Sequence, residues 1–215
     1  MKTTLLACCA LLMAAPALAA APVQDNGRVT VWDVPLARGQ AGQPTPENYD
    51  SVTMFLEGGT VATRHGDGTV TKATRKFGDA VFTKKGSNDV DTATSAGVHE
   101  VVIALKDTAP GPVDAPPPGM PTSFPRAGAQ KTLEGDRFNV WRFSWIRNKA
   151  VPMHHHDKDT VMVFRYDGSL RSTFPTGAVQ DNVFWKGQIN YNKAGNTHTE
   201  TLVTAHQSAV DLELK

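Results

Sequence analysis

Val52-Thr53-Met54-Phe55-Leu56-Glu57-Gly58-Gly59 is a run of apolar and β-branched residues that ends in a glycine turn. Thr160 to Gly168 repeats it, with Phe164 over Phe55 and Gly168 over Gly59. The two stretches are 109 residues apart, and at that offset Arg28–Lys106 lies over Arg137–Lys215 without a gap. Nineteen of those 79 positions are identical, where ordinary composition gives about five by chance. The identities include Trp32 with Trp141, Asp50 with Asp159, Gly78 with Gly187 and Lys84 with Lys193. The chain is an internal duplication.

Both copies read as β-structure. Val98 to Leu105 and Ala209 to Leu214 are terminal strands, and the second alternates as Val210, Leu212, Leu214. No useful length of chain shows the 3.6-residue apolar period of a helix. Short strands punctuated by glycine every eight to twelve residues (roughly) point to sandwiches or barrels. Between the copies, seven of the 14 prolines fall from Pro110 to Pro125. That composition suits a linker or an extended strap. The expected domains are therefore 23–106 and 131–215, joined by a Pro-rich stretch over 107–130.

The beginning of the chain reads as an export signal. Lys2 is followed by an apolar run from Leu5 to Ala15, then Pro16, then Ala17-Leu18-Ala19 as a small-x-small cleavage site. The run is shorter than the ~18 residues a membrane helix needs. We expect residues 1–21 to be a signal peptide and the mature protein to be periplasmic or secreted. Both cysteines, Cys8 and Cys9, lie in this leader, so the remainder has no disulfide and no thiolate ligand. Lys plus Arg is 22 and Asp plus Glu is 21. A charge so balanced gives no electrostatic footprint for nucleic acid or for an anionic membrane.

Only the second copy carries metal-type chemistry. His154-His155-His156 precedes its central strand, and on an extended backbone His154 and His156 share a face while His155 points away. Lys193-Ala194-Gly195-Asn196-Thr197-His198 follows about forty residues later. Two imidazoles two apart on one strand, with a third from a neighbouring strand, form a facial nitrogen set with coordination positions left open. The expected cofactor is a divalent transition metal: Fe, Mn, Ni, Cu or Zn. The first copy has Thr45, Glu47 and Asp89 at the three matching positions.

These residues resemble the motifs of the cupin superfamily. His154-x-His156 with the later Gly168 is similar to the first cupin motif, and Lys193-x-Gly195-x-x-His198 is similar to the second, with Lys in place of Pro. The two copies together resemble a bicupin. The resemblance implies an all-β fold of two tandem jelly-roll barrels related by duplication, with one metal site in the second. The first motif normally supplies a Glu near position 160 or 161, and the nearest acid here is Asp159. Asp159 is therefore a fourth candidate ligand. Its duplicate, Asp50, stands in the copy without histidines, which gives both acids a structural alternative: accepting turn N–H groups.

Two functions are consistent with this reading. One is a metal-dependent oxidoreductase, of dioxygenase or oxidase type, on a small oxygen-rich substrate. The other is a non-catalytic protein that holds a small ligand or a metal. A homo-oligomer is compatible with both.

Overall fold

A computed structural model of the chain describes residues 21–113 and 115–215, and the leader with its two cysteines lies outside the described residues. The described residues contain 17 strands and no helix. The first copy supplies β1 (Gln24–Asp25), β2 (Val29–Leu36), β3 (Asp50–Glu57), β4 (Gly59–Arg64), β5 (Val70–Arg75), β6 (Ala80–Thr83), β7 (Val90–Ala93) and β8 (Val98–Leu105). The second supplies β9 (Gln130–Gly135), β10 (Phe138–Trp145), β11 (Val151–His155), β12 (Asp159–Phe164), β13 (Gly168–Thr173), β14 (Val179–Phe184), β15 (Ile189–Asn192), β16 (Thr197–Leu202) and β17 (Gln207–Leu214). Shifted by 109, β2, β4, β5, β6 and β8 fall on β10, β13, β14, β15 and β17. The duplication read from the sequence is a duplication of fold.

Each copy is two antiparallel sheets. In the first they run β1-β2-β8-β3-β6 and β5-β4-β7, and in the second β15-β12-β17-β10-β9 and β11-β16-β13-β14. The fourth strand of the last sheet, β11, is the main departure from symmetry. The matching stretch of copy one forms no regular strand, but it runs beside β7 through an isolated bridge from Ala41 to Thr92 and two backbone bonds, Gly42 N–H to the Asp91 carbonyl at 2.7 Å and Thr45 N–H to the Asp89 carbonyl at 2.9 Å. The strand that carries His154 and His155 is thus the regular form of a pairing that both copies make.

Strand alternation explains three cores. Val101, Ile103 and Leu105 of β8 face Val210, Leu212 and Leu214 of β17 in one buried cluster shared by the two five-stranded sheets. Residues of opposite parity turn inward: Val98 and Val102 into barrel one, Ala209 into barrel two. Both faces of β8 and β17 are covered: six of the eight residues of β8 are apolar, and every residue of β17 is buried, its polar Gln207, Ser208, Asp211 and Glu213 included.

Two arginines repeat across the shared face. Arg28 of copy one pairs with Asp159 of copy two at 3.6 Å and donates to the Lys215 carbonyl at 3.2 Å. Arg137, its duplicate, pairs with Asp50 at 3.3 Å and donates to the Lys106 carbonyl at 3.4 Å. Each barrel reaches into the other through the same pair of positions.

The Pro-rich stretch does not simply run along the outside. Its final residues enter barrel two: Ser123 N–H donates to the His155 carbonyl at 2.9 Å, and Phe124 is buried and stacked on Trp141 at 5.0 Å. An aromatic side chain that size gains most by leaving water, and the end of barrel two is where it can.

Candidate metal centre

β11 brings His154 and His155 to the end of the smaller sheet, with His156 just beyond it, and β16 brings His198 alongside. In the register, His154 stands opposite His198 and His155 opposite Thr197. His154, His156 and His198 point to one centre, with ring centroids 4.9 to 5.0 Å apart in every pairing. His155 turns the other way, where its Nδ1 meets the Thr197 hydroxyl at 2.8 Å. His154 and His156, grouped by alternation, thus converge with His198 from the neighbouring strand.

A fourth ligand atom joins them, from Glu200. One atom from each of His154, His156, His198 and Glu200 lies within 4.8 Å of the others, and all four residues are buried. Glu200 is two residues beyond His198 on β16, so the same alternation that groups His154 with His156 places it on the inward face. That signal was in the sequence. The acid near the first motif, Asp159, matches the expected carboxylate position more nearly in sequence.

Asp159 lies outside the group. Its Oδ2 accepts from the Tyr191 hydroxyl at 2.7 Å and its Oδ1 from the Ala194 N–H at 2.9 Å, while Arg28 faces it. Both oxygens are engaged, and with a turn, not with the imidazoles. Asp50 makes the matching bond, accepting from the Lys85 N–H at 3.0 Å. Positions 50 and 159, and 85 and 194, are related by the repeat, so the acid does the same task in both barrels.

The donor chemistry fits a divalent transition metal. His154 Nδ1–H donates to the Pro152 carbonyl at 2.8 Å, which leaves the Nε2 lone pair facing the centre. Two ligands about 2.1 Å from one ion and at right angles to each other stand about 3.0 Å apart, and Nε2 of His154 and Nε2 of His156 stand 3.2 Å apart. Burial lowers the pKa of His154 and, with the charges of His154 and His198 adding to it, brings that of His156 to about 3. Both rings are neutral at physiological pH, the form a metal needs. Three nitrogens with one carboxylate oxygen favour first-row transition ions over calcium or magnesium.

Glu200 is held ionised. Burial opposes this, but the His198 hydrogen bond and the Arg126 charge outweigh it and keep the carboxyl far below its ordinary range. Arg126 Nη1 donates to Oε2 at 2.9 Å, Trp145 Nε1 to the same oxygen at 2.8 Å, and Oε1 lies 3.3 Å from His198 Nε2. The guanidinium itself lies over the rings of Phe143 at 4.2 Å and Phe124 at 5.0 Å. Arg126 comes from the Pro-rich stretch, and no local sequence pattern marks it.

A cavity of about 240 Å³ opens onto His156, His198 and Glu200. Phe164, Phe174 and Leu170 form its apolar wall, and Asn182, Asn190 and Asn192 project amides into it. Lys193 adds a cation. The three remaining histidines lie elsewhere. His65 pairs with Asp89 at 3.0 Å, His99 with Asp33 at 2.5 Å, and His206 is exposed beside Tyr166.

No protein-family model and no curated protein matches the sequence. Solved structures do match the fold. A cupin 2 conserved barrel domain protein from Leptotrichia buccalis is 12% identical, covering 90% of this chain and 87% of its own, at a TM-score of 0.56. The fold is a double cupin barrel. AerE from Microcystis aeruginosa matches over 90% of this chain and 96% of its own, with 10% identity and a TM-score of 0.64. Oxalate decarboxylase from Bacillus subtilis, described with Mn(II) centres, matches over 87% of this chain and 69% of its own, with 8% identity and a TM-score of 0.61. At such identities the shared property is the cupin barrel itself, and chemistry has to be argued from the site.

Proposed function

We propose that this protein is an exported bicupin that binds one divalent transition metal through His154, His156, His198 and Glu200, and acts as a metal-dependent oxidoreductase on a small oxygen-rich substrate. The observation that carries this reading is the convergence of four candidate ligand atoms within 4.8 Å beside a cavity that His156, His198 and Glu200 line. The metal would supply Lewis acidity and a redox-active centre for O₂. The protein's own residues set everything else. The cavity is at the small end of ligand sites, which begin at roughly 300 Å³, so the substrate is small. The amides of Gln180, Asn182, Asn190 and Asn192 suit hydroxyl or carboxylate oxygens, and Lys193 favours a negative charge among them. Phe164, Phe174 and Phe184 give the cavity an apolar side.

One observation favours the second reading, a non-catalytic binder. Apart from the four proposed ligands, Lys193 is the sole titratable side chain among the residues that line the cavity. A general base would have to come from the substrate or from a metal-bound species. Purification without a His-tag, metal analysis, and O₂ uptake with small hydroxy acids, dicarboxylates and phenols test the proposal. Stoichiometric metal with turnover supports the enzyme, stoichiometric metal without turnover supports the binder, and protein without metal removes the catalytic reading. Export is tested separately: mass spectrometry of the native protein should find the N-terminus near Ala20 or Pro22, and an intact Met1 would defeat the leader assignment.

A further inference from the structure

Barrel one keeps a cavity of its own, of about 280 Å³, at the position the metal centre occupies in barrel two. Its lining descends from the same positions: Thr63 over Ser172, Asp89 over His198 and Asp91 over Glu200. The carboxylate is kept, but the imidazoles are gone. Among the described residues, a cluster with metal-ligand geometry is found in barrel two and not here. Asp89 is tied to His65 at 3.0 Å, Asp91 accepts from the Thr63 hydroxyl at 2.5 Å, and Arg75 brings a fixed cation into the same space.

Glu100 is the group without an evident structural task. It lies on β8 with the parity of Val98 and Val102, so it points into the barrel, and it is 1% exposed. Its Oε1 has no hydrogen-bond partner, although it lines the cavity. Burial first, and then the neighbouring Asp91 charge, push its carboxyl up to about 8. At neutral pH Glu100 is therefore protonated and shares a hydrogen bond with Asp91, whose own carboxyl burial also pushes up. A buried polar oxygen left unpaired is costly unless something else fills the role of partner.

We propose that this cavity is a second small-molecule site, which takes a neutral, polyhydroxylated ligand of monosaccharide or cyclic-polyol size. Three features select that class. The charges of Asp91, Asp89, Arg75 and the rim Lys84 nearly cancel, so neither a cation nor an anion gains by entering. The wall holds both donors and acceptors, the hydroxyls of Thr53, Thr71 and Thr83 together with the carboxyls, and a ligand hydroxyl both donates and accepts. Val81, Phe82 and Val102 offer one apolar patch, which suits the C–H face of a ring. The proposal is independent of the metal reading for barrel two.

Calorimetry and ligand-observed NMR with D-glucose, D-xylose and myo-inositol on the mature full-length protein test it. At least one should bind saturably, with a dissociation constant on the order of 1 mM or tighter. Asp91→Asn and Thr63→Val should each weaken that binding about tenfold. Thr71→Trp, at the exposed mouth, should abolish it without touching the core, which covers the case where a core variant fails to fold. His198→Ala should leave it unchanged. Failure of all three probes overturns the proposal, as does saturable binding confined to calcium or methylguanidinium. Loss with His198→Ala and retention with Thr71→Trp would place the ligand in barrel two and overturn it equally.

Discussion

Arg126→Met is the most informative single change. Arg126 and Glu200 are 11% and 8% exposed at their side chains, and their contact is 2.9 Å. Methionine keeps the aliphatic stem against Phe124 and Phe143 but removes the charge, leaving Glu200 buried with only the Trp145 N–H and His198 as partners. Removing one partner of such a pair costs about 3–5 kcal/mol, because the remaining charge is stranded. In a protein of 150–250 residues each kcal/mol shifts the melting temperature by roughly 2–4 °C. The metal-free variant should therefore melt roughly 6–20 °C below the wild type. The stranded carboxylate has a second consequence. A metal ion would replace the missing positive charge, so the variant should gain more from saturating Mn²⁺ or Zn²⁺ than the wild type does, and by linkage a gain of about 2.7 kcal/mol corresponds to metal at 100 times its dissociation constant. Differential scanning calorimetry of both proteins, with and without metal, reads both quantities. A metal-free shift under about 2 °C, or an equal metal-induced gain in the two proteins, would refute the account of Glu200 as a charge shared between Arg126 and the ion.

Three other outcomes are expected. Asp159→Asn and Asp50→Asn should each lower stability by on the order of 1 kcal/mol, since each loses a turn bond and an arginine partner; bound metal, measured by chelator competition, should stay the same in both, and a selective loss in Asp159→Asn would return it to the ligand set. His198→Ala should remove most bound metal, while Asp89→Ala, its counterpart in barrel one, should leave the metal content at the wild-type value by elemental analysis. The raised carboxyl of Glu100 gives a pH dependence whose sign is fixed: the folded state binds the extra proton between the unfolded value of 4.5 and about 8, so stability falls as pH rises through that window. Glu100→Gln should flatten that slope in urea titrations from pH 5 to pH 8, and an unchanged slope would mean that Asp91, facing it with Arg75, carries the proton instead.

What the sequence determined by itself is everything governed by local period. The repeat, the strands and the shared inward direction of His154, His156 and His198 all follow from glycine punctuation and two-residue alternation, which are properties of neighbours in the chain. Glu200 obeys the same rule and was legible in principle, two residues beyond His198, but a nearer acid matched the motif better. Tertiary structure alone decided what charge could be held at the centre. Arg126 lies 74 residues from Glu200 and comes from a stretch whose prolines read as a linker. Whether a buried carboxylate stays ionised depends on which cation folding brings to it, and no local pattern encodes that distance. The same holds for Asp159, whose partners Arg28 and Tyr191 come from another barrel and another strand. Alternation chooses the face of a strand, and packing chooses what that face meets.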